Sequence, residues 1–264
     1  MNIVVCTKQV PDTAATLKVD ELSNVSWGEA PLVLNPWDEF TVEEALRLKE
    51  KHGGKVTVVA MGPDATRDAL KHAVAMGCDE AVQLWDPVFD GSDAPATAIV
   101  LAKAIEKIGA DLVLCGKQAI DGETGLVPPG LAHRLGWPLL AFVAKVRELD
   151  PAGKTLTVER LLEEGRQVVS SRLPAVVAVV KEINEPRYPS FMGIRKASKM
   201  QPSVWSAADL GVDAAGAWRS AAGVQWTRIF APPPREGTVE LVAGDSPEEI
   251  AAKLADKLMA EKVI

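Results

Sequence analysis

The run Asp111-Leu-Val-Leu-Cys-Gly116-Lys-Gln-Ala-Ile-Asp121-Gly-Glu-Thr124-Gly-Leu-Val127 decides how the rest of the chain is read. Its first half is a short apolar stretch closed by Gly116, as expected of a strand buried on both faces in a parallel sheet. Its second half is polar and punctuated by glycine, and it runs into a helix expected over 126–135. In open α/β sheets, ligands sit outside the carboxyl ends of the strands, where a loop hands over to a helix. Here the loop offers an acid (Asp121), a flexible residue (Gly122) and a hydroxyl (Thr124). Backbone N–H groups at the following helix start are an ordinary seat for a phosphate. A plain βα turn needs only a glycine and a capping residue, so the residues alone leave both readings open.

Working toward the N-terminus, Ile3-Val-Val-Cys6 is a short buried strand. Thr7 to Thr13 follows as a loop facing the same sheet edge. Residues 16–34 contain Gly28 and Pro31 and read as an excursion with short strands. Asn35-Pro36-Trp37-Asp38 then opens a helix whose apolar stripe is Val42, Ala45, Leu46 and Leu48. Trp37, at that helix mouth, reads either as a core plug or as a ligand-stacking wall. Strands are expected at 55–60, 80–84 and 111–115, with helices through Ala75 and over 94–108. Four strand–helix alternations with short connections mean a parallel sheet with helices on both faces. The chain has no Gly-x-Gly-x-x-Gly after its first strand and no Walker loop, which removes the common dinucleotide and P-loop classes.

Beyond Leu139 the rhythm changes. Strand-like segments at 139–146, 155–161, 166–171 and 175–180 read as a mainly antiparallel extension of the same sheet. Next, Asn184, Glu185, Pro186, Arg187 and Tyr188 lead to Phe191, Met192, Ile194, Arg195 and Lys196. An apolar tip ringed by positive charge describes a partner-docking loop; a loop folded back on its own core reads equally well. Residues 201–237 show little periodicity and carry Trp205, Trp218, Trp226 and three consecutive prolines, as an arm lying along another chain would. Ser246-Pro-Glu-Glu249 opens a last helix in capping-box style. The expected organisation is therefore an α/β domain over 1–200, including the 184–199 segment, and a C-terminal arm and helix over 201–264.

The totals narrow the function. A net charge of −7 argues against nucleic acid as a partner, and no apolar run approaches the length of a membrane span. The start lacks a basic region or cleavage site, so a cytoplasmic location is expected. Cys6, Cys78 and Cys115 are too scattered for a zinc site or a disulfide framework. His52, His72 and His133 all fall in helical patterns, which makes a His-centred metal or triad site improbable.

Taken together, these motifs resemble the electron transfer flavoprotein beta subunit (FixA) family over nearly the whole chain. The resemblance rests on Val4-Val-Cys-Thr-Lys8-Gln-Val10, Asn35-Pro-Trp-Asp38, Val59-Ala-Met-Gly62-Pro63, Gly116-Lys-Gln-Ala-Ile-Asp121, Leu173-Pro-Ala-Val176 and Asn184-Glu-Pro-Arg-Tyr188 with Lys196-Ala-Ser-Lys199. It implies a Rossmann-like fold of the adenine nucleotide alpha-hydrolase type. It also implies a heterodimer whose alpha subunit holds the redox-active FAD. The beta pocket would bind AMP structurally, or a second FAD in electron-bifurcating members. Carried over residue by residue, that pocket is Cys6, Asn35, Pro36, Trp37, Asp38, Met61, Gly116, Lys117, Gln118, Ala119, Ile120, Asp121, Gly122, Glu123, Thr124, Gly125, Leu126 and Val127.

The family's partner-recognition loop maps onto 184–199, with Phe191 where many members have leucine. Thr13 and Trp37 fall near the approach to the alpha-bound flavin. Asp121-Gly-Glu-Thr124 resembles the bifurcating members, whereas Pro186-Arg187-Tyr188 resembles the AMP-type members, and the balance tips to AMP. The function so implied is a carrier that takes electrons from acyl-CoA or related dehydrogenases of fatty acid β-oxidation and passes them to a quinone oxidoreductase. The alternatives are a bifurcating subunit that oxidises NADH and an unrelated ATP-binding ligase or signalling domain.

Overall fold

The central sheet is built around the strands that the sequence marks as apolar. In the computed structural model, which describes residues 1–213, 223–224, 226–234, 236–237 and 239–264, helices and strands alternate from Pro36 onward through the first half of the chain. Strand β1 (Asn2–Thr7) is followed by two short pairs, β2 (Gln9–Pro11) with β5 (Leu32–Leu34) and β3 (Lys18–Val19) with β4 (Val25–Ser26). Then come α1 (Pro36–His52), β6 (Lys55–Met61), α2 (Thr66–Met76), β7 (Glu80–Leu84), α3 (Ala94–Ile108), β8 (Leu112–Gly116) and α4 (Val127–Leu135). The second half holds β9 (Leu139–Asp150), β10 (Thr155–Leu162), β11 (Gly165–Arg172), β12 (Ala175–Val179), α5 (Phe191–Lys199), β13 (Ser203–Trp205) and α6 (Pro247–Ala260).

The main sheet runs β11-β10-β9-β12-β8-β1-β6-β7-β13. Its parallel core leaves β1 toward β6 and β7, then returns to the other side of β1 with β8 and β12. The order therefore reverses between β1 and β8, and a crevice opens there at the strand carboxyl ends. Alternation of side chains sorts the core into two layers. Ile3, Val5, Val58 and Leu114 pack with α1 and α2 residues such as Val42, Leu46 and Leu70. Val4, Cys6, Val113 and Cys115 pack with α3 and α4 residues such as Leu101, Ile105 and Leu131. Helices cover both faces, as the alternation required.

Three segments depart from the sequence reading. β12 belongs to the parallel core, between β8 and β9, and is not part of the antiparallel extension, which is β9, β10 and β11 alone. Its Ala-Val-Val-Ala-Val is buried throughout, the pattern of a strand covered on both faces. The segment expected to be a loop over 184–199 is extended only in its first half. Phe191–Lys199 is helical, with Ser190 as N-cap: its hydroxyl accepts from the Gly193 N–H at 3.0 Å. Within the stretch read as aperiodic, Ser203–Trp205 pairs in parallel with β7 and closes that sheet edge. Trp218 lies outside the described residues. The last helix starts as its sequence implies, with the Ser246 hydroxyl accepting from the Glu249 N–H and the Glu249 carboxylate accepting from the Asp245 N–H. No residue of α6 is buried.

Candidate nucleotide cavity and docking segment

The reversal between β1 and β8 holds a cavity of about 410 Å³. Strand ends supply its floor: Cys6 and Thr7 from β1, Met61 from β6, Cys115 and Gly116 from β8. Asn35 and Asp38 line it from the start of α1, and Gln118, Ala119 and Asp121 to Val127 form the loop side. The sequence-derived pocket is thus largely brought together. Pro36, Trp37, Lys117 and Ile120 stand outside the lining. Trp37 packs behind Gly116 instead: a Cβ at 116 would fall 2.8 Å from the Trp37 Cβ and 2.5 Å from Asp38 Oδ1. Lys117 turns away from the cavity, its ammonium 5.7 Å from the Trp37 ring.

Two side chains at the start of α1 hold the loop in place. Asn35 is buried; its amide donates to the Gln118 carbonyl at 3.0 Å and accepts from the Ile120 N–H at 3.2 Å. Asp38 accepts from the Lys8 N–H at 2.8 Å, joining the end of β1 to the same helix. Burial pushes the Asp38 carboxyl up to about 7, against the Lys8 N–H, the Asn35 amide and the Gly116 N–H, which favour its charged form. Beside it, Cys6 and Cys115 are register partners on adjacent strands. The hydrogen bond that the Cys115 thiol donates to Cys6, together with burial, raises Cys115 well above its ordinary value. Both cysteines therefore serve as small apolar surface.

The phosphate seat is narrower than the sequence suggested. Helix α4 begins Val127-Pro128-Pro129, and the prolines remove two of the four N–H groups a helix start leaves unpaired. Donors remaining nearby are the backbone of Gly125 and Val127, with the Leu126 N–H already turned toward Thr124 Oγ1 at 3.4 Å. The cation at the mouth is Lys8, whose ammonium meets Asp121 at 2.6 Å. Sequence reasoning placed Lys8 on the right edge without giving it a role. It missed the wall from the β7–α3 connection, where Trp85, Phe89 and Asp90 to Asp93 line the cavity, and it missed Val224 and Trp226. Gly91 at φ +68° was the one local signal for that turn.

The docking segment is braced on α1. Asn184 donates to the Phe40 carbonyl at 3.0 Å and to Glu44 at 3.1 Å, and the Glu185 carbonyl accepts from Arg47 at 3.3 Å. Arg187 donates from Nε to Glu43 at 2.7 Å and from its other nitrogens to Glu43 and Glu50. Burial pushes Glu43 up, but the hydrogen bonds from Arg187 and Arg47 outweigh it and hold the carboxyl below its ordinary value. Lys196 donates to the Cys78 carbonyl at 3.1 Å. Arg187 and Lys196 thus both make hydrogen bonds within the chain, Arg187 to carboxylates and Lys196 to a backbone carbonyl. Pro186 is half-buried, and Glu185 and Arg195 face solvent. Tyr188 is 95%, Phe191 81% and Met192 69% exposed, with Ile194 beside them.

The family model described as Electron transfer flavoprotein domain matches residues 28–210. Protein FixA of Azorhizobium caulinodans is 43% identical over 219 residues, covering 81% of this chain and 78% of its own. The electron transfer flavoprotein subunit beta of Thermoanaerobacterium thermosaccharolyticum is 46% identical over 215 residues, 81% of each chain. That of Megasphaera elsdenii is 38% identical over 274 residues, spanning the whole of both.

Proposed function

The chain belongs to the electron transfer flavoprotein beta subunit family, and from that premise we propose that it seats AMP in the β1/β8 cavity while presenting α5 to electron-donating dehydrogenases. The supporting observation is that one chain carries both a nucleotide-sized cavity at its topological switch point and a helix with an exposed apolar end, led in by a segment that the Arg187–Glu43 ion pair braces on α1. The residues fit a mononucleotide. The floor of Cys6, Cys115 and Leu101 is apolar, as a purine requires. Asp121 and Glu123 suit ribose hydroxyls, which donate to carboxylates. Lys8 and the backbone N–H groups of Gly125 and Val127 are the phosphate partners, with no help from positions 128 and 129.

The FAD of the complex would lie mainly with an alpha subunit and supplies the electron transfer itself. This chain's own part is to shape the docking surface and support that partner. Phe191, with Met192 and Ile194, enters an apolar pocket of an acyl-CoA or related dehydrogenase. The exposed 239–264 region, with Val239, Leu241, Leu254 and Met259 open to solvent, grips the alpha subunit. A quinone oxidoreductase accepts the electrons. Among the described residues no helix is long and apolar enough to cross a membrane.

A second reading is a bifurcating complex in which this cavity holds another FAD and electrons enter from NADH. The Asp121-Gly-Glu-Thr124 run favours it. Denaturing the purified heterodimer and quantifying released nucleotide by chromatography decides between them. About one FAD and one AMP per heterodimer support the carrier; two FAD and no AMP support bifurcation. A single FAD with no second nucleotide would remove the cavity's assigned ligand.

A further inference from the structure

Asp93 uses its two carboxylate oxygens for different purposes. Oδ1 accepts from the Ala96 N–H at 2.9 Å, which is an ordinary N-cap of α3. Oδ2 reaches far along the chain, accepting from the Gly223 N–H at 2.9 Å and the Val224 N–H at 3.1 Å. Serine, threonine or asparagine would cap α3 equally well; the second oxygen is what only a carboxylate adds. Hydrogen bonds to an ionised acceptor are also about twice as strong as neutral ones. The two N–H groups it takes lead directly to residues that line the nucleotide cavity, Val224 and Trp226. Trp226 is 69% exposed, so one face of the indole is left for whatever fills or covers the cavity mouth.

We propose that Asp93 latches the C-terminal arm across the mouth of the nucleotide cavity, making Val224 and Trp226 its outer wall. The proposal deepens the nucleotide assignment above and rests on it. The latch joins two tasks that the sequence presents as separate. The arm is the element expected to lie on the alpha subunit, and through Asp93 it is also a wall of the pocket 130 residues away in sequence. Retention of the nucleotide then depends on the seating of the arm. Asp93 itself lines the cavity, so Trp226→Ala, which leaves the carboxylate in place, separates the latch from any direct contact of Asp93 with the ligand.

The test uses the intact heterodimer, loaded with radiolabelled AMP and chased with excess unlabelled AMP. Asp93→Asn keeps an oxygen for the α3 cap and loses the second acceptor, so it separates the two jobs. Asp93→Asn and Trp226→Ala are each expected to speed AMP release roughly ten-fold, the scale of losing charge-assisted hydrogen bonds or an aromatic contact. Flavin content stays at the wild-type value in both, as does Tm measured with AMP at saturation. Asp93→Ala loses the cap as well and lowers Tm in addition. Wild-type release rates in Asp93→Asn, with AMP bound at full stoichiometry, would overturn the latch and leave the nucleotide assignment standing. A wild-type heterodimer that takes up no labelled AMP overturns both.

Discussion

Substitution of Gly193 by alanine sets two physical effects against each other with opposite signs. In an unpacked helix, Gly→Ala stabilises by about 1 kcal/mol, because alanine loses less backbone entropy. Here α5 lies close to α2, and a Cβ on residue 193 would stand 2.1 Å from the Ala75 carbonyl oxygen. Carbon–oxygen contacts settle near 3.3 Å, so α5 must retreat by roughly 1.2 Å. The obstacle is backbone and cannot swing aside as a side chain would. Overpacking of this kind costs about 1–3 kcal/mol, which outweighs the propensity gain.

Retreat of α5 also pulls at the Lys196 bond to Cys78 and at Ala197, the one buried residue of the helix. The expected result is a heterodimer with Tm lowered by a few degrees and a raised KM for the dehydrogenase, because Phe191 is carried on the displaced helix. Flavin and AMP contents stay at wild-type levels. Calorimetry and steady-state reduction by a dehydrogenase read both effects. A Gly193→Ala protein with raised Tm and unchanged KM would mean that propensity wins and that α5 does not press on α2.

Three further outcomes follow from the same geometry. Phe191→Ala is expected to raise the KM for the dehydrogenase on the order of ten-fold or more, as loss of a buried aromatic anchor does, with flavin content intact; unchanged rates at limiting carrier would remove that role. Glu43 sits below its ordinary value of 4.5, so its ion pair with Arg187 stabilises above that pH and is lost as pH falls through the depressed folded value. The urea midpoint of Glu43→Gln should therefore lie below wild type at neutral pH and converge with it only as pH falls through that depressed value; a gap independent of pH would refute the assignment. Asp38 has the opposite sign: its value is raised from 3.8 to about 7, so its contribution is complete below the lower value and is lost as pH rises through the upper one. Asp38→Asn should flatten the fall in stability across that window, measured by urea unfolding, and an unaltered slope would exclude Asp38 as its source.

How much of this the sequence shows depends on whether the signal is local. The apolar runs of β1, β6 and β8, the last two closed by Gly62 and Gly116, carry the parallel core, and Gly116 locates the cavity edge, because burial on both faces leaves a continuous apolar stretch. β12 carries the same signature, yet its place after a run of alternating strands draws it into the wrong group. α5 is hidden by Gly193, a poor helix residue whose use is tertiary contact with Ala75. The fates of Arg187 and Lys196 depend on Glu43, Glu50 and Cys78, more than a hundred residues away. No local pattern announces such pairings. Val224 and Trp226 belong to the same class, since only the fold brings them to the cavity. Pro128 and Pro129 are the exception: their loss of N–H groups was legible from the start and limits the phosphate seat.

Helix α1 would give the proposed AMP a mechanical use. Its first turn holds the nucleotide loop through Asn35 and Asp38, and its later turns hold the docking segment through Glu43, Glu44, Arg47 and Glu50. The helix is 17 residues long, about 25 Å, and it lies on the sheet with Val42, Ala45 and Leu46 fully buried or nearly so. Both surfaces are thereby referenced to one rigid element. Asp38 is the weak point of that element, because a buried carboxyl near its titration point favours the neutral form that gives up its charge-assisted contacts. A ligand that binds only the folded cavity stabilises the fold by mass action, and Asn35 and Asp38 at the start of this helix line that cavity. On the proposed assignment, AMP bound in this cavity would serve electron transfer without exchanging electrons, by keeping the platform that carries Phe191 from loosening at its far end.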